Sequence, residues 1–333
     1  MTAMAPDAAG SDPDGKGTVL SATDLGSPAW GGFDPARADG SGSSGVVRSF
    51  TTAVRLGWVM EANWTDPVLF FIYSVAKPVS AALILVVMLD IVSGGTRPEY
   101  RGFIVVGTAL WSFVVAGIAG IAWSILDDRE RYRMLKYVYV SPSDFLVVLL
   151  GRGVARVAVG AIGSVITVGV GVVALGVSFD LAAIHWPLLG LVMALGFGAI
   201  IAIGILLGAI CLQTRQESWS YPDAVAGALF LVSGAVFPLS ILPGVAQAIG
   251  LATPLTWWIE GVRLALFRGG VSAIGGPDSL WAATTRSPAP DATSIVVALL
   301  VTGTLATLAA TVIFRASERR AKDRGLLDQT TGS

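Results

Sequence analysis

Long apolar runs separated by short polar stretches dominate the chain from about residue 68 onward. Six of these runs are long enough to cross about 30 Å of hydrocarbon as helices, at about 1.5 Å per residue. A segment inside lipid must be helical, because its backbone groups find no water there to bind. The pattern predicts an all-α integral membrane protein with six spans, at about 68–91, 102–126, 145–176, 186–212, 222–242 and 292–314.

The residues before the first run fall into two parts. Residues 1–45 are rich in Gly, Ser, Asp, Pro and Ala and contain no apolar core, which predicts a disordered tail. Residues 46–66 carry the apolar side chains Val47, Phe50, Val54 and Trp58 at helical spacing. Arginines lie between them. We interpret 46–66 as an amphipathic helix lying on the membrane surface, with a short solvated helix as the alternative.

A further apolar stretch, residues 245–268, is interrupted by Thr253-Pro254 and is too broken for a seventh span. A re-entrant helix pair on the outer side fits it, with Trp257 and Trp258 at headgroup depth. Glu260 lies within this stretch and has Arg263 and Arg97 as candidate ion-pair partners. A gating or substrate role for Glu260 and a purely structural role both remain open.

Composition excludes several classes of function. The chain has 54% hydrophobic and only 14% charged residues, and its net charge of −1 implies no nucleic-acid partner. One His and one Cys provide too few soft ligands for a zinc or haem site. The sequence shows no carboxylate pair or Ser-His-Asp set at a membrane face, so we predict no catalytic residues, no metal and no cofactor.

The distribution of Lys and Arg predicts the orientation, since cytoplasmic loops are enriched in these residues. With the N-terminus inside, the inner segments hold Arg48, Arg55, Arg129, Arg131, Arg133, Lys136, Arg215, Arg315, Arg319, Arg320, Lys322 and Arg324. The outer segments then hold only Arg97, Arg101, Arg263, Arg268 and Arg286. Six spans return the basic tail 316–333 to the cytoplasm, and we expect a multi-pass protein of the cell membrane.

The densest block of charge is DDRERYRMLKYVYVSP, residues 127–142, between the second and third spans. The arginines alone would be explained by an ordinary cytoplasmic loop, because such loops are enriched in Lys and Arg. Such a loop would not explain the apolar and aromatic residues Met134, Leu135, Tyr137, Val138, Tyr139 and Val140. These favour a short helix that meets a second protein, since Arg and Tyr are common at interfaces.

This arrangement resembles the membrane subunits of ABC-2 type exporters, which have six spans and a cytoplasmic coupling helix between spans two and three. The typical coupling helix has an Arg/Glu-rich start, a Leu and a Ser/Thr-Pro close. The residues that the resemblance assigns to coupling are Arg129, Glu130, Arg131, Arg133, Leu135, Lys136, Tyr137, Ser141 and Pro142. Tyr132-Arg133-Met134 stand where the commonest version has Gly-Thr.

A second match follows the fifth span, where ABC-2 permeases often have a Gly-Phe-Pro-like exit and then Pro-Leu-Thr-aromatic ending in Glu-x-x-Arg. The corresponding residues here, assigned to an outer gate or re-entrant motif, are Phe237, Pro238, Pro254, Thr256, Trp257, Glu260 and Arg263. Thr253 replaces the usual Asn, and Trp257 the usual Tyr. Together the two matches place the resemblance at about residues 46–320.

The resemblance implies a transmembrane domain over 67–315 that acts with a separate cytoplasmic ATPase subunit in two copies. It also implies a second permease subunit, identical or homologous, and contact with membrane lipid. Residues Gly10–Gly17 match the start of a phosphate-binding loop by spacing, but the Ser or Thr that should follow Lys16 is Gly17. We therefore expect no nucleotide site in this chain and ATP hydrolysis by the partner.

The resemblance favours export of a drug or antibiotic, with a polysaccharide or glycolipid as the alternative substrate. An ion-driven secondary transporter, a membrane enzyme and a non-transporting scaffold are the rival functions. Arg152 and Arg156 lie one helical turn apart and could meet lipid phosphates, the coupling region or a substrate anion. Gly196, Gly204 and Gly208 fall near one helix face, for which we predict packing within one subunit.

Overall fold

Every regular element in the described part of the computed structural model is helical, and the described residues are 43–62, 67–93, 99–131, 137, 143–214, 220–267 and 270–323. The helices, numbered in chain order, are α1 Ser43–Ala62, α2 Pro67–Ser93, α3 Glu99–Val114, α4 Gly120–Leu126, α5 Phe145–Leu175, α6 Trp186–Gln213, α7 Tyr221–Val232, α8 Gly244–Ala252, α9 Pro254–Leu266, α10 Leu280–Thr285 and α11 Ala292–Asp323. A π-helical turn, Val115–Ala119, joins α3 to α4, and a second one, Asp127–Arg131, follows α4.

Within the described residues, four helices are long and apolar enough to cross a membrane: Tyr100–Arg129, Phe145–Leu175, Trp186–Gln213 and Ala292–Asp323. They correspond to the predicted spans two, three, four and six. The predicted first span lies within the 27-residue helix α2, in which Val79–Ile91 is a shorter apolar stretch. These apolar helices indicate a membrane-embedded chain, and they match four of the six predicted crossings.

The predicted fifth span, 222–242, is only half helical. Helix α7 ends at Val232, and its 12 residues cover roughly 18 Å at the usual helical rise. Gly234 follows with a φ of 70°, the left-handed conformation that commonly ends helices and that glycine adopts without strain. Pro238 then leads into a short 3₁₀ turn, Leu239–Ile241, so the second half of the predicted span folds back.

The helices differ greatly in how much of their surface other parts of the chain cover. In the most apolar 18 residues, 78% are buried for Tyr100–Arg129 and 67% for α6, against 33% for α5 and 17% for α11. Helix α9 packs against both α6 and α11. The interior therefore lies around α3–α4, α6 and α9, while α5 and α11 present apolar outer faces.

Close helix packing explains the glycines of α6. An added Cβ at Gly196 would come closer than 3.0 Å to the Trp258 ring, and one at Gly208 would do the same to Ile125. At Gly204 the obstacle is the backbone oxygen of Gly117 in the first π-helical turn. The predicted packing within one subunit is confirmed at all three positions.

Near both ends of the chain, the helices extend beyond the predicted boundaries. Helix α1 begins at Ser43, two residues inside the predicted tail 1–45, and residues 1–42, including Gly10–Gly17, lie outside the described residues. Helix α11 continues past the predicted span end to Asp323, so the first part of the basic tail 316–333 is helical. Residues 324–333 also lie outside the described residues.

Candidate functional site

The segment predicted to meet a partner protein is described only in part. Asp127–Arg131 prolong α4 as a π-helical turn, and Tyr137 is 66% exposed. The structure gives the backbone of Glu130 and Arg131 but does not describe their side chains. The predicted coupling residues outside the described part are Arg133, Leu135, Lys136, Ser141 and Pro142.

Arg129, predicted as a partner contact, is only 6% exposed. Its Nη1 donates hydrogen bonds to the carbonyl oxygens of Cys211, at 3.1 Å, and Thr214, at 3.0 Å. These carbonyls belong to the C-terminal end of α6, where helix oxygens have no partner within the helix and a positive charge is favourable. The guanidinium thus ties the start of the segment to α6.

Two arginines of α5 form ion pairs that sequence analysis did not predict. Arg152 pairs with Asp128, both of them buried, and Arg156 Nη2 lies 2.6 Å from Glu61 Oε1. Burial raises the pKa of the Glu61 carboxyl, and the nearby positive charge of Arg156 opposes this rise. We call Glu61, Asp128, Arg152 and Arg156 the ion-pair cluster. It joins α1, the end of α4 and α5.

Helix α1 packs along the first turns of α5. Gly57 lies against Arg152 and Ala155, and Gly151 lies so close to α1 that an added Cβ would come within 3.0 Å of the Phe50 carbonyl oxygen. Val47 and Trp58, predicted for the apolar face, remain 61% and 43% exposed. The buried residues of α1 are the small Ala53 and Gly57, so small side chains allow the close approach of α1 to α5.

At the opposite end of the spanning helices, Arg263 of α9 is 4% exposed, and both of its terminal nitrogens donate hydrogen bonds. Nη1 donates to the Gly234 carbonyl at 2.7 Å, and Nη2 donates to the carbonyls of Ala235, at 2.6 Å, and Phe103, at 2.9 Å. The guanidinium carbon also lies 3.4 Å from the centre of the Phe103 ring. One side chain thus joins the turn after α7 to the first turn of α3.

Glu260, one helical turn before Arg263, binds a different element. Its carboxylate accepts hydrogen bonds from the Ser272 hydroxyl and from the Ala273 backbone N–H, the latter at 2.7 Å. Its two oxygens are thus held by the loop that follows α9, and the candidate partner Arg97 lies outside the described residues. The Leu239 N–H donates to the Ala273 carbonyl at 2.7 Å, so the same loop also holds the 3₁₀ turn.

The remaining residues of the predicted outer motif have structural contacts. Pro254 begins α9, and Thr256 Oγ1 lies 3.2 Å from Thr253 Oγ1. Trp257 Nε1 donates to the Leu251 carbonyl at 2.8 Å, which closes the bend between α8 and α9. Phe237 and Pro238 are half-buried in the turn that Arg263 anchors.

The two adjacent tryptophans of α9, predicted at headgroup depth, are buried by other parts of the chain. Trp257 is 4% exposed and meets Trp281 edge-on, with ring centroids 5.6 Å apart. Trp258 is fully buried between Phe113 and Phe197. Both indoles therefore contribute to packing in the protein interior.

A comparison with protein families matches most of the chain to one family. The family model described as ABC-2 type transporter matches residues 56–267, more than half of the chain. The match contains the segment, the ion-pair cluster and Arg263, and it ends before α11. A search of curated proteins found no match.

Proposed function

Because the chain belongs to the ABC-2 type transporter family and is thus the membrane component of an ABC transporter, we propose that it is the permease of an ATP-driven exporter. Proteins of this family normally work with an ABC ATPase. A separate ATPase subunit, in two copies, docks on the segment 127–142 in this proposal, mainly through residues 130–142. The single observation that carries it is Arg129, which fixes the start of that segment to α6 through two carbonyl hydrogen bonds.

The proposed orientation places the ion-pair cluster and both termini at the cytoplasmic face. The basic end of α11, with exposed Arg319, Arg320 and Lys322, supports this orientation, because Lys and Arg accumulate on the cytoplasmic side. The Arg263 site then lies toward the outer face. ATP-driven closure of the ATPase pair would move the segment, and Arg129 would pass that movement to α6.

The outer motif is proposed to form a gate that moves as a rigid unit. Arg263 fixes α9 to α3 and to the turn after α7, and Glu260 fixes it to the loop 270–276. Residues held by several buried hydrogen bonds do not rearrange singly without leaving polar groups unpaired. The gate residues would be Phe237, Pro238, Pro254, Thr256, Trp257, Glu260 and Arg263.

The proposed path lies between this chain and a second permease subunit, identical or homologous. The apolar outer faces of α5 and α11, with exposed side chains such as Val165, Val173 and Leu305, suit contact with lipid or with an amphipathic substrate. A drug or antibiotic is the substrate class that we favour, and a polysaccharide or glycolipid is the alternative. Uptake of amphipathic dyes and of lipid-linked sugars into inverted vesicles separates these classes.

Reversing two charges in the segment tests the docking proposal. The double change Arg133→Glu and Lys136→Glu is expected to reduce ATPase co-purification about tenfold, because like charges would face the partner. The matched control is Arg319→Glu with Arg320→Glu, which reverses two exposed charges at the end of α11. Equal loss in both doubles, or no loss in the first, would show that the ATPase does not bind through the segment.

A further inference from the structure

Helix α1 is linked to the residues on either side of 130–142, directly on one side and through Arg152 on the other. Ser49 Oγ of α1 lies 2.9 Å from Ser143 Oγ, just after residues 130–142. Arg152 Nη2 lies 3.9 Å from Met60 Sδ of α1, while Arg152 Nη1 binds Asp128, which precedes residues 130–142. Helix α1 thus contacts Ser143 itself and shares Arg152 with Asp128.

The ion-pair cluster holds these contacts at one place on α5. Arg152 and Arg156 lie one turn apart, so a single face of α5 binds Asp128 at the end of α4 and Glu61 at the end of α1. Asp128 and Arg152 are 3% and 6% exposed. Water and salt screen such a pair weakly, and loss of one partner leaves a buried charge without compensation.

The charge balance favours a mechanical role over an anion site. An anion site for a lipid phosphate or a charged substrate needs positive charge that the chain itself leaves uncompensated. Here each guanidinium has a carboxylate from another helix as its partner. The four side chains sum to zero net charge, and the partners come from the elements next to the segment.

We infer that Asp128–Arg152 and Glu61–Arg156 are positioning pairs that fix the segment and α1 to a common point on α5. Movement of the segment by an ATPase then reaches α1 and α5 together, in addition to the path through Arg129 to α6. This inference rests on the proposed function for the source of the movement. The positioning itself is a property of this chain alone and is testable without a partner.

The first test is hydrogen exchange on the purified full-length chain without an ATPase. Asp128→Asn is expected to speed exchange about tenfold at residues 43–62 and 127–144, because the pair no longer restrains local opening. The swap Asp128→Arg with Arg152→Asp should restore the protection. The control is Asp90→Asn, which breaks a half-buried pair with Arg101 at the other end of the spans, where Asp90 Oδ2 and Arg101 Nη2 are 2.8 Å apart.

A neutral double variant covers the case in which the swap does not fold. Asp128→Asn with Arg152→Gln removes the pair without leaving a buried charge, and it should lose the same protection as Asp128→Asn. Protection equal to the wild type in this double variant would overturn the inference. Exchange in Asp128→Asn that matches Asp90→Asn in both regions would overturn it as well.

The second test uses the complex with the ATPase. Asp128→Asn should bind the ATPase with unchanged affinity and leave KM for ATP unchanged, because the pair is buried, but it should lower kcat about fivefold. Loss of ATPase binding in parallel with kcat would contradict a positioning role. If the wild-type chain binds no ATPase, the exporter proposal fails while the exchange result still decides whether the pairs position the segment.

Discussion

Replacing Arg263 with glutamine is expected to lower the melting temperature of the detergent-solubilised protein by about 10 °C and to abolish transport. The guanidinium satisfies the carbonyls of Gly234, Ala235 and Phe103, and the shorter amide cannot reach all three. Each buried carbonyl left without a donor costs about 1–3 kcal/mol. The loss also frees α9 from α3, so the outer motif should loosen as a whole.

The matched control for this prediction is Arg286→Gln. Arg286 is an exposed arginine in the turn after α10, and its replacement should leave both the melting temperature and transport unchanged. Thermal unfolding followed by tryptophan fluorescence measures the difference between the two variants. Equal melting temperatures would mean that the Arg263 hydrogen bonds contribute little to the outer motif.

Replacing Gly196 with valine is expected to prevent correct packing of α6 against α9. The first added carbon alone would overlap the Trp258 ring, and this ring is enclosed by Phe113 and Phe197. Overpacking of a close-packed interior costs about 1–3 kcal/mol, and more where a large buried ring cannot move. Size-exclusion chromatography in detergent should show a much smaller monodisperse fraction than for the wild type.

Gly198→Val is the control, since it lies two residues along the same helix and has nothing within 4 Å of an added Cβ. The two substitutions make the same change in helix propensity, so the difference between them reports packing alone. Similar yields of monodisperse protein for both variants would contradict the described contact between α6 and α9.

The sequence predicted the features that depend on local pattern. Apolar runs predicted six spans, four of which match helices of spanning length in the described structure. The one-turn spacing of Arg152 and Arg156 placed these two arginines on one helix face. The sequence did not reveal their partners, because Glu61 and Asp128 lie 95 and 24 residues from Arg156 and Arg152 along the chain. Contacts between distant segments depend on how the helices pack against each other. The spacing of apolar and polar residues along the sequence does not determine this packing.

Other differences from the predictions also have physical causes. The short helix α7 ends where Ser233-Gly234 and then Pro238 interrupt the apolar run. The prediction of a full span followed the hydropathy of the run and gave these helix-ending residues too little weight. Trp257 and Trp258 are buried because they pack against α10 and α6. Two adjacent tryptophans in a sequence are compatible both with such packing and with a position among lipid headgroups. The sequence is also ambiguous at Arg129. An arginine in a charged loop can contact a partner protein or can bind the carbonyl oxygens at the end of a helix in its own chain.

One continuous helix connects the two candidate sites. Tyr100–Arg129 begins beside Arg263, through the Phe103 carbonyl, and ends at Asp128 and Arg129. The π-helical turn Val115–Ala119 lies between them and packs against α6. Such turns are frequent at functional sites.

The decisive measurement is isolation of the full-length chain from native membranes, with identification of bound subunits and an assay of ATP hydrolysis. We expect recovery of an ATP-binding subunit and hydrolysis that falls about tenfold when Arg133 and Lys136 are reversed in charge. Recovery of the chain alone and inert toward ATP, under conditions where a control exporter keeps its ATPase, would show that the chain is not the permease of an ATP-driven exporter.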